Sequence, residues 1–208
     1  MPGPIIHLVI ADKILRRLPE GVIQNTALFY CGSLVPDAVH AREEYIRAHK
    51  KHSHLTAGIP GVEFYKQENL LLFRERLAKF LSDYMIPGDK YEDLYKGYAA
   101  HVITDELLYS NLREQMKFFS DDNELILHKN YEFLYNIVDM LLNECDYEIK
   151  GYVSNNEIEI SKKWVIETFL NNKSIINDTI NSSTANLLEF ADMASDEIIR
   201  RLSLICPK

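Results

Sequence analysis

Apolar residues recur every three to four positions along almost the whole chain. No segment shows the strict alternation or the two-residue turn chemistry of paired strands. The pattern predicts an all-α fold, a helical bundle in one domain. Pro4 can open a first helix running to about Leu18, in which His7, Ile10, Ala11, Ile14 and Leu18 share one stripe. A second helix is predicted from about Val22 to Leu34, stopping before Pro36 because the residue ahead of a proline is pushed out of the α region. Asp37 then sits at a helix boundary, a short third helix covers Ala38 to His49, and a loop from His52 to Gly61 carries Gly58, Pro60 and Gly61. Long amphipathic helices are predicted at Val62–Tyr84, Tyr91–Phe119 and Asn123–Glu148, separated by the turn-forming segments Ile-Pro-Gly-Asp and Ser-Asp-Asp-Asn. After a polar break at Gly151–Glu157, Ser161 is expected to cap a helix through Leu170, and a last helix runs from about Thr184 to Ile205.

A chain of 208 residues fits one domain able to bury a sizeable core, so residues 1–208 are expected to form a single unit. With 47% hydrophobic and 26% charged residues, the composition is that of a globular protein, neither disordered nor membrane-spanning. No stretch approaches the roughly 20 consecutive apolar residues of a transmembrane helix. The N-terminal apolar run lacks a basic leader and is broken by His7 and Asp12, and the cysteines Cys31, Cys145 and Cys206 are odd in number and far apart. A cytoplasmic protein is the expectation. The formal charge of −8 disfavours nucleic acid and anionic membranes as partners, although a local basic patch can override that average.

The sharpest chemical signal is His101-Val-Ile-Thr-Asp105, set in a long helix whose same face carries Leu94, Tyr98, Leu108 and Leu112. A carboxylate on an apolar stripe costs several kcal/mol unless it is paired or binds a metal, so a nearby cation is expected; a buried His–Asp hydrogen bond is the plainer alternative. A second pair, His128 and Glu132, lies on the next long helix with Asp139 seven residues further on the same face. Adjacent helices that each present such a pair are one way to build a metal site in a bundle, while a solvated first helical turn would equally explain His128. Taken alone, His7 reads as a core histidine, Asp37 as an N-cap, His40 as a surface residue and the His49-to-His54 tract as a polar loop. Imidazole with carboxylate, and no cysteine cluster, is a ligand set suited to zinc or a similar first-row metal.

In order and local wording these residues resemble the zinc-dependent phospholipase C family, a group of helical metallohydrolases that includes single-strand nuclease-like relatives. The resemblance rests on His7 followed by Ile10-Ala11, Gly-Ser-Leu-Val-Pro-Asp at 32–37, Ser-His-Leu at 53–55, Gly-Tyr-Ala-Ala-His-Val-Ile-Thr-Asp at 97–105, and the His128/Glu132 helix. It spans about residues 5–140. The resemblance implies metal roles for His7, Asp37, His54, His101, Asp105, His128 and Glu132, with His54 preferred over His52, and a proton-accepting role for Asp37. It also implies two or three Zn2+ ions. The secreted members use an N-terminal tryptophan amine as a ligand, whereas this sequence begins Met-Pro-Gly-Pro and has its one tryptophan at position 164.

The expected function is metal-dependent hydrolysis of a phosphoester, either a phospholipid headgroup or a small soluble mono- or diester. The competing expectation is a non-catalytic helical protein with a structural or degenerate metal site. Histidine-aspartate phosphohydrolases are excluded because no His is followed by Asp, and di-iron carboxylate bundles because no His has Glu three residues before it.

Overall fold

The computed structural model describes residues 3–111, 133–142, 147–170 and 182–205. Among the described residues the fold is all-α, and the one strand-like pairing is an isolated bridge between Ile149 and Val153. The helices are α1 (Pro4–Arg17), α2 (Thr26–Gly32), α3 (Arg47–Ser53), α4 (Gln67–Tyr84), α5 (Glu92–Asn111), α6 (Phe133–Leu142), α7 (Asn155–Val165) and α8 (Ser182–Ile205). Two 3-10 turns, Val35–Ala41 and Gly61–Glu63, and a π-helical turn, Ile166–Leu170, complete the order. No helix among the described residues is long and apolar enough to cross a membrane.

Helix α5 is the axis of the bundle, buried without interruption from Asp93 to Leu108 and packed against α1, α2, α4, α8 and the first 3-10 turn. Its contact with α2 is a backbone-to-backbone crossing. A Cβ at Gly32 would overlap the Leu94 carbonyl, and a Cβ at Gly97 would overlap the Phe29 carbonyl. Both glycines are therefore required by close approach rather than by turn geometry. Helix α1 starts with Pro4 in its first turn, where the missing N–H costs nothing, and buries Ile5 through Asp12 between α8 and α5.

Several boundaries differ from the sequence pattern. The second helix begins at Thr26 rather than near Val22, because the Asn25 side chain accepts a hydrogen bond from the Leu28 amide and caps it. Pro36 does not end a helix but sits in the first turn of the 3-10 segment Val35–Ala41, where its lack of a donor is harmless. The helix expected over Ala38–His49 is replaced by that turn and by α3, which begins at Arg47 and takes in His49 and His52. Before α4 the chain makes a 3-10 turn, so the helix expected from Val62 begins at Gln67.

Ser161 is not a cap. Ser154 starts α7 through a reciprocal pair in which the Glu157 amide donates to its hydroxyl oxygen (3.3 Å) and its own amide donates to the Glu157 carboxylate (2.8 Å). Of the helix expected at Asn123–Glu148, Phe133–Leu142 is helical and Tyr147 and Glu148 are not; the remainder lies outside the described residues, as do positions 112–119 of the preceding one.

Candidate metal centre

Five of the seven residues singled out in the sequence converge at one place. His7 comes from α1, Asp37 from the 3-10 turn, His54 from the end of α3, and His101 and Asp105 from the middle of α5. The other two, His128 and Glu132, lie outside the described residues. Asp139 is exposed on α6, so it lies apart from this buried cluster.

The glycine crossing sets His101. With α2 pressed onto α5, the Ser33 carbonyl lies 2.7 Å from His101 Nδ1. A carbonyl can only accept, so Nδ1 carries the proton and the lone pair is on Nε2. His54 is fixed the same way, since its Nδ1 lies 3.0 Å from the Lys50 carbonyl. The end of α3 forms a Schellman motif, in which the Leu55 amide donates to the His52 carbonyl (3.0 Å) and the Thr56 amide to the Lys51 carbonyl (2.8 Å). Leu55 occupies the position usually given to glycine, at φ 58°. A left-handed leucine costs roughly 1–2 kcal/mol, and strain of this kind concentrates at functional sites. Ser53 anchors the motif by donating to the Pro36 carbonyl (2.7 Å), and the buried Tyr98 hydroxyl donates to the Ser53 carbonyl.

The result is a meeting of acceptors. His54 Nε2 lies 3.3 Å from His101 Nε2, 3.2 Å from Asp37 Oδ1 and 3.4 Å from Asp105 Oδ2, while His101 Nε2 lies 4.0 Å and 3.9 Å from the two carboxylates. Donors about 2.1 Å from a tetrahedral zinc ion are separated by roughly 3.4 Å, so the shorter of these distances are those of a ligand set. Without a cation, such convergence requires a proton on one of the facing nitrogens, and a metal ion takes that proton's place.

Beside this group His7 stacks on His101, with ring centroids 3.7 Å apart and planes 9° from parallel. Both of its ring nitrogens are buried without a hydrogen-bond partner, and so is Asp105 Oδ1, 3.9 Å from His7 Nε2. Unmet buried polar atoms are rare, and an ion is one of the partners that explains them. His101 has one lone pair to offer, so it can serve only one of the two groups it borders. The two oxygens of Asp105 face different histidines, so that residue can serve both.

The electrostatics suit metal ligands. Burial, reinforced by neighbouring His101, holds the His7 imidazole well below its ordinary range. Burial does the same to His101 against the opposing pull of Asp37 and Asp105. Both rings are therefore neutral, the form that binds metal. Burial opposes ionisation of Asp37, but a hydrogen bond from His54 Nε2, which the metal-free cluster makes with the proton it requires there, and the Lys50 ammonium beside it hold its carboxyl well below the usual carboxylate range. Asp37 remains the most accessible of the five, its side chain 22% exposed.

The other histidines do not join. His52, which the pattern placed at the start of a loop, is on α3 and stacks on Tyr152 at 4.4 Å. His40 is exposed, as its sequence position suggested, although Lys50 Nζ comes within 3.0 Å of its Nε2. Cys31 is buried on α2, and Cys145 and Cys206 lie outside the described residues.

Two neighbours of the cluster were not singled out in the sequence. Lys50 Nζ donates to Asp37 Oδ1 at 2.5 Å. Tyr109, one turn beyond Asp105 on α5, faces a cavity that has His54 and Asp105 in its wall. Burial and the charge of Asp105 push its phenol up to about 12, so it stays protonated and able to donate. The spacing signals were present, Lys50 at four residues before His54 and Tyr109 at four after Asp105.

No family model, no curated protein and no solved structure matches the chain.

Proposed function

We propose that this chain is a metal-dependent phosphoesterase, with Asp37, His54, His101 and Asp105 holding one Zn2+ or similar ion and His7 with Asp105 contributing to a second. One observation carries the reading. Two buried imidazoles, each with its Nδ1 proton committed to a backbone carbonyl, aim their Nε2 atoms at each other and at two carboxylates. The order of these residues along the chain is that of the phospholipase C resemblance, which supports phosphoester hydrolysis over other metal chemistry.

When bound, such ions supply Lewis-acid activation of water and of a phosphoryl oxygen at neutral pH. The chain supplies the rest. The Ser33 and Lys50 carbonyls fix the tautomers and ring planes of His101 and His54. Asp37, the most exposed of the five, is the carboxylate to which the resemblance gives a proton-accepting role. The cavity that reaches His54 and Asp105 gives a substrate its way in. An accessible cavity also favours catalysis over the alternative of a closed structural site.

The test combines elemental analysis of the purified protein with hydrolysis of a panel of nitrophenyl phosphoesters, with and without chelator. Metal-dependent turnover is expected, and His101→Ala should lose the metal and the activity together. Bound metal with no turnover on any ester supports the structural alternative, and absence of metal removes the reading.

A further inference from the structure

The first turns of α3 carry a feature that metal binding does not use. Arg47, Lys50, Lys51 and His54 are spaced i, i+3, i+4 and i+7, so they form one stripe on one helical face, and all four line the cavity at the metal cluster. The stripe ends on a metal ligand. At 5.4 Å per helical turn, the lysines stand about one turn from His54 and Arg47 about two.

Lys50 is paired with Asp37. Arg47 and Lys51 make no side-chain ion pair or hydrogen bond among the described residues, and Arg47 lies near enough to Tyr109 to act on it electrostatically. The Tyr109 side chain adds a neutral donor to the same cavity, and Ile59 and Phe64 supply apolar lining. In a protein of net charge −8, two cations without an ion pair among the described residues beside a cavity are a local reversal of sign.

We propose that this cavity selects phosphoesters carrying a second anionic group, held by Arg47 and Lys51 while the ester phosphate sits at the metal cluster. The proposal rests on the phosphoesterase reading for its metal end and adds the class of substrate. Guanidinium and ammonium groups at that distance favour a carboxylate or second phosphate and repel a cationic head.

Calorimetric titration of the full chain, zinc-loaded, with three probes tests this: phosphoglycolate, with a second anion; ethyl phosphate, with none; and phosphocholine, with a fixed cation. Phosphoglycolate is expected to bind about tenfold more tightly than ethyl phosphate, and phosphocholine more weakly than either. The double variant Arg47→Ala/Lys51→Ala should bring the three affinities within about threefold of one another. Arg47 is exposed and Lys51 half-buried, so the variant is expected to fold, with unchanged circular dichroism as the check.

Phosphocholine binding as tightly as phosphoglycolate, a preference that survives the double variant, or failure of all three probes to bind would overturn the proposal. Metal content measured on the same zinc-loaded protein after buffer exchange separates the two readings. A charge preference without retained metal sinks the enzymatic reading and leaves the anion stripe. Retained metal without a charge preference does the reverse.

Discussion

Asp105 and Glu106 are consecutive residues of α5, both buried, and their surroundings are opposite. Glu106, fully removed from solvent, receives Arg74 Nε at 2.9 Å and Nη2 at 2.7 Å and a further bond from Arg201, which is itself held by Glu197. Its charge is met from within the protein, and the cluster ties α4, α5 and α8 together. Asp105 faces three imidazoles and forms no ion pair with Lys or Arg among the described residues, and its Oδ1 has no hydrogen bond. A buried carboxylate surrounded by guanidinium groups is a finished structural unit. One surrounded by imidazoles leaves its charge to be met by a proton on those rings or by a cation from solution.

The sharpest way to break the comparison is to delete each carboxylate in turn. Glu106→Ala leaves Arg201 with Glu197 as its one carboxylate partner among the described residues and removes the buried acceptor of Arg74, and should destabilise the protein by about 3 kcal/mol in urea titrations, equally with and without chelator. A cost that depends on metal would erase the distinction between the two sites.

Asp105→Asn should behave differently. Metal-loaded protein is expected to lose the stabilisation that binding confers, about 2.7 kcal/mol at a free metal concentration 100 times Kd. Chelated protein should change by less than about 1 kcal/mol, because the side chain keeps its volume and loses an unmet charge. An equal loss in both states, read from thermal melts with parallel metal analysis, would reassign Asp105 to a structural role.

The smallest effect concerns pH. The folded-state affinities of His7 and His101 for protons are lowered by burial, so between the folded and unfolded pKa values the unfolded chain binds more protons. Stability of the chelated protein is therefore fully present above the unfolded value near 6.5 and is lost as pH falls below it toward the folded values. At up to about 1.4 kcal/mol per pH unit per group, and roughly 2–4 °C per kcal/mol for a chain of this size, Tm should drop by several degrees between pH 7 and pH 5. Asp37, lowered by the His54 hydrogen bond and by Lys50, adds a loss only as pH falls below its unfolded value near 3.8. A flat Tm from pH 7 to 5 would show that the two rings already carry their protons in the fold.

The amino-acid pattern by itself determined the helical class, because a 3.6-residue period leaves little choice of secondary structure. It also determined His101 and Asp105, since residues four apart on one helix meet wherever that helix is placed. Boundaries were less legible where local capping competes with periodicity, as at Asn25, Pro36 and Ser154.

What only the tertiary structure decided is the partnership of His7, Asp37 and His54 with that pair. They come from three further elements, and their meeting depends on the backbone crossing at Gly32 and Gly97 and on the left-handed Leu55 that ends α3. The difference between Asp105 and Glu106 was likewise invisible in the sequence. Adjacent helical positions point about 100° apart, and whether each finds arginine or imidazole is settled by which helices pack on either side.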